Sequence, residues 1–145
     1  PTEPNITALL NPPDVKWKHL LSKNIEVPTP WEKEGFDKMD QAYQKKRIEM
    51  NEKVAKLKRE RAPQEKIEAA EKESEELSRS NAELMDEYLR NSKYYGKVGV
   101  FEGAGYSSEG LYRPMIDCIM FTKSSENFCK VCEDAIVKVI QHFAE

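Results

Sequence analysis

The chain has 145 residues, three cysteines and a formal net charge of -3, with 34% charged and 39% hydrophobic positions. That length suits one domain, or a core with an appendage, and no run of about 18 apolar residues is present to cross a membrane. The mild acidity argues against a nucleic-acid groove, which needs clustered Lys and Arg, and three cysteines are too few to frame a disulfide miniprotein.

No basic n-region followed by an apolar h-region marks a signal peptide. The chain opens on Pro1 rather than Met, the start expected of a processed or cut piece. Charge is uneven along it: 31 of the 49 charged residues lie in positions 31–93. Five of the six glycines fall between Gly96 and Gly110. The sequence therefore divides into a Pro-rich lead (1–30), a charged middle (31–93) and a Gly-, aromatic- and Cys-containing end (94–145).

In the lead, Pro13 suits the first position of a helix and Asp14 its first turn. The expectation is a short helix over 13–22 with Val15, Trp17, Leu20 and Leu21 on its apolar side. Val27-Pro28-Thr29-Pro30 reads as extended, because a residue before proline is pushed out of the α region. Asn5-Ile6-Thr7 matches the N-glycosylation pattern, a motif that arises often by chance.

The middle predicts two helices. Phe36, Tyr43, Met50, Val54 and Leu57 form one stripe, with Arg47 in its gap; Ile67, Ala70, Ser74, Leu77, Asn81, Leu84 and Tyr88 form a second at heptad spacing. Pro63 interrupts the first helix and suits the first position of the next. Residues 31–61 carry 10 basic and 7 acidic groups and residues 64–93 carry 5 and 9, so an antiparallel hairpin pairs attracting faces. Ser74, Asn81 and Arg47 make its seam poor while fixing register. The hairpin is read as a solvated structural arm, with a docking surface for a partner as the alternative.

In the end segment, Tyr94–Glu102 alternates well enough for a short strand near 97–102. It runs into a loop in which Gly103 and Gly105 permit positive φ or close backbone approach. The loop lacks the Lys and Ser/Thr of a P-loop, and its glycines are not spaced for a dinucleotide. Two readings stand: a loop lining a cleft, with Tyr106, Tyr112 and Arg113 as its polar groups, or a tight structural turn with snorkelling aromatics. From Cys129 onward, Val131, Cys132, Ala135, Ile136, Val139, Ile140 and Phe143 trace one face of an amphipathic helix. The fold class is therefore mostly α: a helical hairpin, a small strand and Gly-rich loop, and a C-terminal amphipathic helix.

Cys129-x-x-Cys132 also invites a zinc or redox reading. Zinc wants four ligands, and only Cys118 and the distant, isolated His19 and His142 are available besides. A thioredoxin-like pair wants a βαβ setting that is missing. The favoured expectation is one disulfide from Cys118 to Cys129 or Cys132, which would place the protein outside the cytoplasm; three buried free thiols are the alternative.

Taken together, Val98–Ser107, Gly110-Leu111-Tyr112-Arg113-Pro114, Asp117-Cys118-Ile119-Met120 and Phe128-Cys129-x-Val131-Cys132 resemble the end of the catalytic domain of IgA-peptidase-type zinc metallopeptidases, the sixty-fourth metallopeptidase family. Glu3–Thr7 and Trp17-Lys18 resemble the segment just downstream of the zinc motif there, and the hairpin resembles a long helical insertion found in the version from gut Bacteroidetes-type bacteria. The resemblance implies a secreted or cell-envelope zinc endopeptidase acting on protein or peptide substrates. Its His-Glu-x-x-His helix, whose histidines bind zinc and whose glutamate activates water, is absent from this sequence. The expectation is a C-terminal subdomain, inactive alone and without metal ligands of its own, completed by a missing upstream zinc-binding half. By resemblance Met120 underlies the metal as a hydrophobic floor, Tyr112 and Arg113 are the candidate catalytic groups, and Gly105 and Tyr106 are the candidate substrate-binding positions. Glu102 is read as a strand-end carboxylate, with a supporting role behind the site's own groups as the alternative. The competing function is a non-enzymatic interaction module built on the hairpin; a redox protein rests on the Cys-x-x-Cys alone. Substrate preference does not follow from fold.

Overall fold

The computed structural model describes residues 2–8, 14–122 and 125–145. Three helices, α1 (Lys33–Arg59), α2 (Gln64–Arg90) and α3 (Lys130–Ala144), accompany a two-stranded antiparallel sheet of β1 (Phe101–Ala104) and β2 (Ser107–Arg113). The fold is mostly α with a helical hairpin. It divides into two compact units, Pro1–Lys33 with Leu89–Glu145, and Glu34–Tyr88.

The second unit is the hairpin. No proline lies between Lys33 and Arg59, and Glu34 at one end with Lys56, Lys58 and Arg59 at the other complements the helix dipole. The chain then reverses through a Schellman cap: Arg61 takes φ 52, its N–H donates to the Lys58 carbonyl, and the Ala62 N–H donates to the Leu57 carbonyl. Pro63 stands just before α2 rather than within it, and its carbonyl accepts from the Lys66 and Ile67 amides. The stripe of Phe36, Tyr43, Met50, Val54 and Leu57 is half-buried as expected, while Arg47 is exposed. On α2, Ile67 and Ala70 are buried and Ser74, Leu77 and Asn81 half-buried. Leu84, expected inward, is 57% exposed, and Met85 takes the protected face instead. A straight helix drifts about 20° per heptad against a strict seven-residue repeat, so the seam moves toward a neighbouring position along the helix. The attraction between faces is realised as Lys53–Glu73 at 2.9 Å and Lys58–Glu71 at 2.6 Å.

The first unit holds the core: Val15, Trp17, Val98, Val100, Cys118, Cys129, Val131 and Cys132. Its centre is Trp17, whose indole Nε1 donates to the Gly99 carbonyl at 2.7 Å. Among the described residues, the helix expected over 13–22 is replaced by 3-10 structure at Asp14 and Lys18–Leu20. Val15 and Trp17 are both buried, and side chains two apart do not share an α-helical face; the core holds both only if the segment stays irregular. The expectation for Pro13 lies outside the described residues.

Residues 98–100, part of the expected strand, are extended but bond to loops rather than to a strand. Val98 and Ser22 exchange hydrogen bonds, Val100 and Thr29 do the same, and the Gly99 N–H donates to the Pro114 carbonyl at 2.7 Å. Regular pairing begins at Phe101, opposite Arg113. The Gly-rich loop is the β-hairpin itself. Gly105 and Tyr106 have φ 57 and 65 between the paired Ala104 and Ser107, the two positive values that a type I′ turn requires.

Candidate active-site hairpin and cysteine cluster

Two constellations gather the residues singled out in the sequence. The first lies on the β-hairpin. The Tyr112 hydroxyl donates to Glu102 Oε2 at 3.2 Å, a cross-strand pair set by the Glu102–Tyr112 register. Burial and then the Glu102 carboxylate raise the Tyr112 pKa above the ordinary tyrosine value, since a neighbouring negative charge opposes forming a phenolate. Tyr112 also exchanges backbone hydrogen bonds with Thr7, at 2.8 and 3.1 Å. Lys33 Nζ lies 3.9 Å from Glu102 Oε1, and Trp31 Nε1 donates to the Glu102 carbonyl. Glu102 is therefore a hub rather than a bare strand-end carboxylate.

Arg113 points elsewhere. Its guanidinium lies 5.1 Å from the Trp31 ring and 5.0 Å from the Phe121 ring, both within cation–π range. Trp31 was missed in the sequence because nothing in its spacing links it to position 113. Gly105 packs toward Leu111 and Ile6, and Tyr106 stands fully exposed at the turn. The structure thus brings Tyr112 together with Glu102, while Arg113 and Tyr106 each face different surroundings.

The second constellation is the cysteine cluster. A turn over 118–122, closed by the Phe121 and Thr122 amides on the Cys118 carbonyl, presents Cys118 to the start of α3. The Ile119 N–H donates to the Asn127 carbonyl and ties that turn to the segment before the helix. Cys129 is the N-cap of α3, its sulfur accepting from the Cys132 amide, and the Cys129 amide donates to Cys118 Sγ at 3.1 Å. All three cysteines are buried free thiols, with Cys118 and Cys132 Sγ 3.9 Å apart. The expected disulfide is not formed: the Cys118 and Cys129 sulfurs each accept from a backbone amide, and the Cys132 sulfur lies against Cys118 Sγ. Cys118 is the acidic member, its pKa lowered by the Cys129 thiol and by backbone amides, while its neighbours are raised, Cys129 chiefly by Cys118 and Cys132 chiefly by burial. Ile116 is fully buried here, while Ile119 is 41% and Met120 63% exposed.

The two histidines are far from any shared site. His19 Nε2 lies 3.1 Å from Asp134 Oδ2, and the His142 ring packs edge-on against Phe143. Neither has a second histidine one helical turn away, so they do not fit the catalytic zinc of a His-Glu-x-x-His enzyme.

Residues 1–140 match the family model described as IgA Peptidase M64. The chain belongs to that family. No curated protein matches it. Membership makes the chain a relative of metallopeptidases, and the M64 match takes in the hairpin helices as well as the core unit. Among the described residues no helix is long and apolar enough to cross a membrane.

Proposed function

We propose that this M64 chain is the C-terminal subdomain of a secreted or cell-envelope zinc endopeptidase, completed by an upstream half that carries His-Glu-x-x-His. The supporting observation is the conjunction of a family match over residues 1–140 with a sequence that contains no such motif. In this reading the chain supplies the β-hairpin beside the substrate and the Met120 turn beneath the metal, and by itself hydrolyses nothing. Its own histidines do not fit the catalytic zinc, so the ligands of that metal are assigned to the upstream half.

The surface agrees with a missing partner half. Ile136, Val139, Ile140 and Phe143 leave an apolar strip along α3, with Ile140 61% and Phe143 82% exposed, and Met120 adds a further exposed apolar side chain in the 118–122 turn. Strips of this kind mark interfaces. In the proposal they pack against the zinc-binding half. The Tyr112 hydroxyl, kept protonated, is the donor available to a developing oxyanion once it leaves Glu102; Arg113, held between Trp31 and Phe121, and the exposed Tyr106 beside Gly105 line the substrate side.

Substituting Ile140→Asp tests the packing. It should leave the stability of the 145-residue chain within about 0.5 kcal/mol, as exposed sites do. In a protein extended upstream through the zinc motif it should lower the melting temperature by several degrees. Equal, small effects in both would overturn the proposed interface. A second reading, a non-enzymatic interaction module, draws on the hairpin being a compact unit by itself; it is favoured if the extended protein, folded and zinc-loaded, cleaves no peptide.

A further inference from the structure

We propose that Cys118, Cys129 and Cys132 form a three-thiolate site for one thiophilic cation, Zn2+ or Cu+. The three sulfurs lie within 4.8 Å of one another and all three residues are buried. Zinc–sulfur bonds of about 2.3 Å in tetrahedral array put sulfurs about 3.8 Å apart, and Cys118 and Cys132 already stand at 3.9 Å. A disulfide would use two of these sulfurs and strand the third in the core; a single ion uses all of them.

The chain delivers the ligands from two sides. The Cys-x-x-Cys spacing sets two sulfurs on the first turn of α3, and the 118–122 turn carries the third onto them. The sequence suggested Cys118 as a disulfide partner of Cys129 or Cys132; that all three sulfurs converge follows from the fold of that turn, which brings Cys118 close to both. Amide hydrogens already aim at the sulfurs, from Cys129 to Cys118 and from Cys132 to Cys129. Such outer contacts orient metal-binding thiolates and spread their charge. Val15, Trp17, Val98, Val100 and Val131 belong to the same cluster, so the ion would sit in an apolar surrounding. Soft thiolates select zinc and Cu+ over calcium and magnesium. Among the described residues no fourth His, Cys, Asp or Glu atom joins the group, which leaves one coordination position for water on Zn2+ or a trigonal Cu+. Either ion would staple the turn to α3, making its binding energy folding energy for the core unit.

The test uses the reduced 145-residue protein, freed of metal with a chelator and titrated under nitrogen with Co2+, then Zn2+, and separately with Cu+. One equivalent of Co2+ should produce a sulfur-to-cobalt charge-transfer band that Zn2+ abolishes, and Zn2+ should raise the melting temperature. Cys118→Ser and Cys132→Ser should each weaken Zn2+ binding more than about 100-fold, beyond the roughly 10–100-fold loss from removing a supporting hydrogen bond. The cobalt band of the unaltered protein reads thiolate ligation directly, whether or not those variants fold. Cu+ uptake without a cobalt band keeps the site and assigns it to the monovalent ion. Neither ion bound, binding that survives both substitutions, or a disulfide formed in air despite equimolar Zn2+ would each overturn the proposal.

Discussion

A methyl group on Gly99 would lie 2.6 Å from Thr29 Oγ1, 2.8 Å from Ile25 Cδ1 and 3.0 Å from Phe101 Cζ. The Gly99 carbonyl also receives the Trp17 indole, and its amide donates to Pro114. Gly99→Ala must therefore move the lead segment or the Phe101 ring. It should cost about 1–3 kcal/mol, the usual penalty of overpacking; an unshifted urea midpoint would show that the neighbours yield freely. Tyr112 gives a pH-dependent readout. Its raised pKa means the folded state holds the phenolic proton more tightly than the unfolded chain. That contribution is complete below the ordinary tyrosine range and is lost as pH rises through the raised value. Glu102→Gln removes one of the two causes, so the Tyr112 titration followed by ultraviolet absorbance should move down towards the ordinary value. It should not reach it, since burial remains. No downward movement would detach Glu102 from Tyr112. The pairing was not legible in the sequence, because the register that sets Glu102 opposite Tyr112 depends on a turn at Gly105-Tyr106 in which a tyrosine, not a glycine, takes the second positive φ.

At the scale of the elements, the hairpin was the most legible part, since heptad spacing and a proline at the bend report on local geometry alone. What spacing could not show was where the seam slips. Ala70 is 3% exposed whereas Leu84 faces solvent. Ala70→Asp should accordingly cost at least about 1–3 kcal/mol for an unpaired polar group forced inside, while Leu84→Asp should change stability by less than about 0.5 kcal/mol. Parallel thermal melts followed by circular dichroism check both; equal losses would restore Leu84 to the seam. Arg61 gives a change of opposite sign. It occupies the left-handed cap at φ 52, where an L side chain costs about 1–2 kcal/mol. Arg61→Gly should raise the midpoint, and a lowered midpoint would mean the arginine side chain does more at the bend than the backbone loses. The lead segment was misread for a related reason. Helical capping signals at 13–14 are local, but burial of both Val15 and Trp17 is imposed by Val98, Val100 and the cysteines, which are remote in the sequence.

For the whole molecule, the family reading rests on a match over residues 1–140, and the sequence motifs of the end segment were enough to suggest it. The cysteine arrangement was legible in part: Cys118 was expected beside Cys129 or Cys132 as a disulfide partner, but the gathering of all three sulfurs as free thiols depends on the turn over 118–122. Three free thiols in the folded protein, rather than a disulfide and one thiol, are expected to take three alkyl groups when the protein is denatured without reductant; a single label would reinstate the disulfide. The proposal that this chain supplies part of a peptidase and requires the rest of it for hydrolysis draws on the Ile140 strip and the absent zinc motif. The most direct measurement is zinc-dependent cleavage of a peptide library by the 145-residue chain and by a version extended upstream through His-Glu-x-x-His. The account predicts no cleavage by the shorter protein and chelator-sensitive cleavage by the longer one, with Tyr112→Phe in the latter lowering kcat by about 10²–10³ while leaving KM nearly unchanged. Zinc-dependent turnover by the 145-residue chain alone would contradict it.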